Sequence, residues 1–352
     1  WWMKILEKYI QQASIDTTPN IRVLACDCLA TMAKAVFENF PVRYQRLAIA
    51  LLLPLPDDEE SQVRAAACRA LGAFVLFPTL RQDTCFVSDM ATVLLDRMED
   101  QVILVRLRAS WAQGNLCDAL VIASDADGFD LREWISIPTW MKMTSTATSA
   151  SLDNDKLRSN AVRAIGSLLR ITPLNYFQDR HGMLLVRDAL TGLVKNIESG
   201  SLKTRWNACH AASNALKNRH FPIGYRQQYD QGGEMYKKED QQEYPWTRIV
   251  FQTLTNALQC KNYKVRINAC LALATPHQRS FYGHHLVPIY HALMSAWSIC
   301  HDPNATTEYQ EYKYQDQLKT QVQKNKKKIM KCKFDSSNFF FLLAQGCFTP
   351  YS

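Results

Sequence analysis

Residues 63–75 run Val63-Arg64-Ala65-Ala66-Ala67-Cys68-Arg69-Ala70-Leu71-Gly72-Ala73-Phe74-Val75. Wound as a helix with Arg64 as origin, Val63, Ala67, Cys68, Ala70, Leu71, Phe74 and Val75 fall on one broad arc. An apolar face that wide needs cover from two sides, a partner helix and the helix of a neighbouring unit. The string recurs. Arginine is followed three residues later by alanine at Arg22/Ala25, Arg64/Ala67, Arg106/Ala109, Arg158/Ala161, Arg205/Ala208 and Arg266/Ala269. An aliphatic residue precedes all but one of these arginines: Ile21, Val63, Val105, Leu157 and Val265, with Thr204 the exception. Their spacings are 42, 42, 52, 47 and 61 residues, close to the period of a two-helix repeat.

Upstream of the arginines lie turns rich in helix-capping residues. Asp16, Asp58 and Asp100 each stand six residues before their arginine, where a carboxylate caps a helix and sits at its positive end. A further amphipathic segment precedes each turn, as in Phe86–Met98, Met183–Ile197 and Trp246–Leu258. Helix, turn, helix is the predicted unit. Small residues at the third, sixth and eighth positions after the arginine, among them Gly72, Gly114 and Gly166, predict close approach of neighbouring helices.

This pattern resembles the HEAT-repeat family over about residues 1–320. The resemblance implies an all-α, HEAT/armadillo-like right-handed α-solenoid of six units and a truncated seventh. It also implies a polar ladder in which an aspartate of one repeat and the arginine of the helix that follows run along the stack. Asp16/Arg22, Asp58/Arg64 and Asp100/Arg106 match both members. Arg158, Arg205 and Arg266 keep the arginine, but Leu152, Ser199 and Cys260 stand at the aspartate position. In such stacks the second helices line the concave side. Their faces opposite the core predict a partner groove of Arg108, Trp111 and Asn115, then Asn160, Arg163 and Arg170, then Asn207, His210, Asn214 and Lys217. Arginine and tryptophan together suit recognition of a protein.

Two stretches exceed the period, 121–152 and 219–245, and both are predicted as surface loops. Pro138 is expected to break any long helix in the first, and 226–243 is expected to be disordered. A seventh unit is expected from His284–Cys300 through Tyr309–Val322. Residues 323–352, basic and then apolar without a helical period, are expected to be a disordered or non-native terminus. The chain opens on Trp1, which reads as a fragment of a longer protein without a signal peptide.

Chemistry has few footholds. The formal net charge is +8, and the region from Lys313 onward supplies +6 of it, from eight lysines against Asp316 and Asp335. With the rest nearly balanced, nucleic acid is a secondary expectation, though Lys324–Lys328 has the look of a nuclear-import run. Cys26-x-Cys28 lacks a partner pair, and His284, His285, His291, Cys300 and His301 do not have metal-site spacing. No cofactor or metal is predicted, and no phosphate loop or nucleophile elbow is present. The eleven cysteines lack disulfide-like spacing, and Cys26, Cys68, Cys209 and Cys270 share one packed repeat position. An intracellular protein, cytoplasmic or nuclear, is expected. No apolar run approaches the ~20 residues of a membrane span. The expected function is a non-enzymatic scaffold or adaptor with a protein partner. A nucleic-acid-associated scaffold and a fragment of an importin-like transport receptor are the alternatives.

Overall fold

The computed structural model describes residues 1–125, 128–225, 242–300 and 309–331. They form two compact bodies, 1–221 and 222–352. Among the described residues there is no strand, only a single bridge between Tyr225 and Glu243.

The first body is five helix pairs. A helical run over 2–13 (α1) is followed by Pro19–Ala30 (α2), Val42–Leu52 (α3), Ser61–Phe74 (α4) and Thr84–Met98 (α5). Ile103–Ala123 (α6), Ile137–Leu152 (α7), Asp155–Ile171 (α8), Arg180–Ser199 (α9) and Leu202–Leu216 (α10) complete it. The second helices α2, α4, α6, α8 and α10 pack successively on one another, and α5, α7 and α9 form the layer behind them. Local chemistry sets the starts. Asp83, Asn154, Asp179 and Ser201 each accept a backbone N–H of the first turn they precede. Pro19 opens α2, where a missing N–H is harmless.

The second helices are almost swallowed by their neighbours. In α4 Val63, Ala67, Cys68, Ala70, Leu71 and Phe74 are all fully buried. A methyl at Gly166 would lie 2.4 Å from Ala211 Cα, and one at Gly72 would lie 2.9 Å from Ala112 Cα. Helix backbones touch there because the side chains are absent.

Residues 121–152 are not a surface loop. α6 continues to Ala123, a short helix covers Leu131–Trp134, and α7 occupies Ile137–Leu152 with Trp140, Met143, Ala147 and Ala150 buried. Pro138 sits at the start of α7 and so begins the helix instead of breaking it. The Ser/Thr run that reads as loop satisfies its hydroxyls inside the helix. Thr144 donates to Trp140 O, Thr146 to Lys142 O, Thr148 to Thr144 O and Ser151 to Thr148 O. Of the second long stretch, 219–245, residues 226–241 lie outside the described residues. Phe221 and Ile223 at its start lie in no helix, as a loop would, but are buried instead of on the surface.

The second body holds Thr247–Ala257 (α11), Tyr263–Leu273 (α12), Leu286–Cys300 (α13) and Tyr309–Lys331 (α14). Here too the expectation needs correcting, since the helix does not stop at Val322. α14 packs on α12 and α13. It buries Leu318, Val322, Asn325 and Ile329, and Asn325 Nδ2 donates to Cys270 O at 2.5 Å. Lys328 Nζ reaches Thr275 O at 3.0 Å. The exposed stripe of α14 carries Lys313, Gln317, Thr320, Lys324 and Lys327. The remainder of the expected tail, 332–352, lies outside the described residues.

Gly166→Ala tests the packing. On a free helix this change stabilises by about 1 kcal/mol. At 166 the methyl meets the α10 backbone, and overpacking of about 1–3 kcal/mol should dominate. The expected result is a lower urea midpoint than the parent; a higher one would mean α8 and α10 are not in contact at Gly166.

Candidate partner-binding face

The arginines that define the repeat are structural hinges between turns, and their partners differ from the expected pairing. Arg22 Nε and Nη2 donate to the two carboxylate oxygens of Asp58, at 2.7 and 2.8 Å, while Nη1 donates to the carbonyl of Asp16 at 2.8 Å. Arg64 repeats this with Asp100, at 2.8 and 3.2 Å, and with the carbonyl of Asp58 at 2.9 Å. Each arginine thus takes its own turn's carbonyl and the following unit's carboxylate. Asp16/Arg22, Asp58/Arg64 and Asp100/Arg106 are therefore joined through the backbone, not as ion pairs.

The fourth unit splits the aspartate's task. Asp153 Oδ2 stands 3.4 Å from Arg106 Nε, while Asn154 accepts the Lys156 N–H. In the second and third units one aspartate does both, since Asp58 also accepts Glu60 N and Asp100 accepts Val102 N. Beyond that the ladder changes character. Arg158 Nε donates to Asp153 O and its Nη1 stands 3.0 Å from Asp155, and Arg205 Nε donates to Ile197 O. In the second body Arg266 is buried with its guanidinium 5.2 Å from the centre of the Tyr263 ring.

The expected groove residues fall into two groups. Several are consumed in the seams between second helices. Buried Asn115 donates to Gly72 O at 2.8 Å and accepts from Arg163 Nη2 at 2.7 Å. Arg163 lies against Gly114, where a Cβ would come within 2.5 Å of Nη2, and 3.6 Å from Asp118. Ser167 donates to Asp118, Arg170 pairs with Asp125 at 3.2 Å, and Asn207 donates to Ser159 Oγ at 2.8 Å. The Trp111 ring occupies the space over Gly72. Buried Asn214 accepts from Lys217 Nζ at 3.1 Å.

The other group faces water. Arg108, His210 and Lys217 are exposed, and Trp111, Asn160, Arg170 and Asn207 are half-buried beside them. Around His210 the cations crowd. Partial loss of water, then the charges of Lys217 and Arg170, hold His210 below the usual histidine range against the opposing pull of Asp118. Lys217 is pushed down by desolvation and by Arg170. Two cations lower His210, and one carboxylate, that of Asp118, opposes them.

Sequence reading placed Asp118 and Ser167 on this face but not their pairing across 49 residues, nor that of Arg170 with Asp125 across 45. It also missed an open cleft of about 710 Å³ at the edge of this face, lined by Phe129, Arg132, Arg170, Asn175, Gln178 and His220. Three separate segments build it, so no local signal announces it. Among the described residues no group of three or more His, Cys, Asp or Glu could hold a metal ion, and no helix is long and apolar enough to cross a membrane.

Known proteins place the fold. The Dynein axonemal assembly factor 5-like family (TPR repeats) matches residues 2–115, and the YugN-like family matches residues 196–329. A putative uncharacterized protein of Dictyostelium discoideum is 25% identical over 408 residues, covering 88% of this chain. The chain spans about a quarter (26%) of that relative's length. A designed armadillo repeat protein, solved in complex with the peptide (KR)4, superposes with a TM-score of 0.50 at 15% identity, covering 77% of this chain and 98% of its own. An archaeal HEAT-like repeat protein of Thermococcus onnurineus NA1 gives a TM-score of 0.46 at 14% identity, covering 88% of this chain and 99% of its own. The chain is an all-α solenoid of the HEAT/armadillo type.

The ladder predicts an acid response. Burial raises the Asp58 and Asp100 carboxyls, but hydrogen bonds from Arg22 and Arg64, with those from Glu60 N and Val102 N, hold both below the usual carboxylate range. A depressed native value stabilises the fold above the unfolded pKa of about 4 and is lost as pH falls through the native value. Asp58→Asn/Asp100→Asn should lower Tm at pH 7, with the gap to the parent closing as pH drops below about 4. A gap constant over that range would separate these carboxylates from the ladder's stability.

Proposed function

We propose that this chain is a non-enzymatic interaction scaffold whose exposed face on α6, α8 and α10 takes an acidic segment of a protein partner. The observation that carries this is the set of cations on this face, exposed Arg108 on α6 with Lys217 and Arg170 around His210, beside half-buried Trp111. Excess positive potential on a rigid helical surface favours an anionic partner. The designed armadillo protein of like fold was solved with a basic peptide; the charge sign here argues for the opposite partner. Strings such as Arg69–Asp83, Ser159–Leu169 and Arg205–His210 resemble the C-terminal half of HEAT repeat-containing protein 6, and we place the chain beside that protein. A reducing intracellular site fits the buried thiols Cys26 and Cys68, both pushed up to about 12 by burial.

Affinity capture with the full chain tests the reading, with Arg108→Glu/His210→Glu as the comparison. Both side chains are exposed, so the variant keeps its fold. Capture of a partner that crosslinks through an acidic segment, weakened about tenfold or more by charge reversal, is expected. Unchanged capture would move binding away from this face.

One observation favours a second reading, a nucleic-acid-associated scaffold. In α14 Lys324, Lys326 and Lys327 have no carboxylate partner among the described residues. If these lysines neutralise three phosphates of a duplex, log affinity should fall with log salt at a slope of about −2.7. Salt-independent binding, or none, would leave the lysines as solvated cations.

A further inference from the structure

At two positions the outward side of α2 differs from the corresponding side of every later second helix in the first body. The side in question faces the preceding second helix. Gly72 of α4 meets Trp111 and Ala112 of α6, and Gly166 of α8 meets Ala211 of α10. Counted from each unit's arginine, the receiving positions are the fifth and sixth after it, flanked on the same arc by the second after and the one before. In α2 these are Asp27, Cys28, Leu24 and Ile21.

At the position before the arginine, Val63, Val105 and Leu157 are fully buried, whereas Ile21 is 36% exposed. At the sixth position Ala70, Ala112 and Ala164 are fully buried, whereas Cys28 is only half-buried. Leu24 is 65% exposed and Ile15, next to the turn, is 80% exposed. A terminal repeat needs a polar outer face. This one is apolar, and contiguous exposed apolar residues mark contact surfaces.

The ladder gives a second, independent sign. Asp58 holds Arg22, Asp100 holds Arg64 and Asp153 stands against Arg106. Asp16 has the same turn geometry, accepting Thr18 N at 2.8 Å as Asp58 accepts Glu60 N. Yet among the described residues no cation pairs with its carboxylate. Both halves of an inter-repeat joint are present, an apolar seat and a carboxylate set to receive a guanidinium.

We propose that this face is a docking surface for a further helix–turn–helix unit of the same class, one that places an arginine on Asp16 and small or apolar residues on Ile21, Leu24 and Cys28. The chemistry of the occupant is set by the rungs within the chain. Its arginine bonds its own turn's carbonyl and reaches across to Asp16, as Arg22 reaches to Asp58. Cys28 is then covered by a residue as small as Gly72 or Gly166, with Leu24 at the seam's rim, where Ala66 of α4 is buried.

The chain contains a usable occupant. A second copy of residues 41–83 fused ahead of Trp1 would bring its own Arg64 against Asp16. Alkylation of Cys28, followed by peptide mapping on the full chain with and without the added unit, reads the result directly. Protection of Cys28 should rise roughly tenfold or more in the fusion. Asp16→Asn, which keeps the acceptor for Thr18 N, should return much of that protection to the level of the unfused chain. Leu24→Asp provides a check that does not depend on the fusion folding. It should leave the Tm of the unfused chain within a degree or so, because Leu24 faces water there, and lower that of the fusion. Unchanged Cys28 reactivity in the fusion, or a marked loss of stability from Leu24→Asp in the unfused chain, would overturn the proposal. So would concentration-dependent protection of Cys28 in the unfused chain, which would assign the face to a second copy instead.

Discussion

Where α4 meets α6, and again where α8 meets α10, helix backbones touch at separations that only glycine and alanine permit. Much else follows from that contact. Helices so close have no room for a long side chain in the seam, so apolar bulk is pushed to the flanks. There Leu71 and Phe74, and likewise Ile165 and Leu168, are fully buried. The arginines then fix the relative height of successive turns. A guanidinium that grips a carboxylate with two nitrogens and its own turn's carbonyl with a third leaves little freedom to slide.

Close packing also decides what the polar residues on the second helices can do. Asn115 and Arg163 look like recognition residues in one dimension, yet they serve the joints. Asn115 satisfies the Gly72 carbonyl and orients Arg163, which in turn sits on Gly114. Such buried polar contacts are costly when half-made, which makes them good registers for a stack. Arg108 and His210 stay exposed outside these joints. The crowding of cations around His210 follows from that division, because Asp118 and Asp125 are already committed to Ser167, Arg163 and Arg170.

The two described termini of the helical arrays contrast in chemistry. α14 turns lysines, glutamine and threonine outward and buries Leu318, Val322 and Ile329. α2 turns Ile21 and Leu24 outward, and among the described residues no guanidinium pairs with Asp16.

The sequence by itself determined the unit. Helical periodicity, the recurring arginine, the capping turns and the small seam residues are all encoded within a few positions of one another, and they fix an all-α stack. Tertiary structure decided what crosses between units. Arg22 lies six residues from Asp16 and 36 from Asp58, and only stacking shows that the distant carboxylate is its partner. Asp153 took a rung from one residue outside the expected register, because a pairing across units tolerates a shift that a spacing pattern does not. α7 was hidden because serine and threonine favour turns when alone, and they become helical once their hydroxyls bond the preceding turn and Trp140 and Met143 are buried beneath them. α14 was hidden for the converse reason. Its lysines dominate the composition, while its inner face, with Leu318, Val322, Asn325 and Ile329 buried, holds it in place. Local patterns report local bonds, and burial between units leaves no mark until the chain is folded.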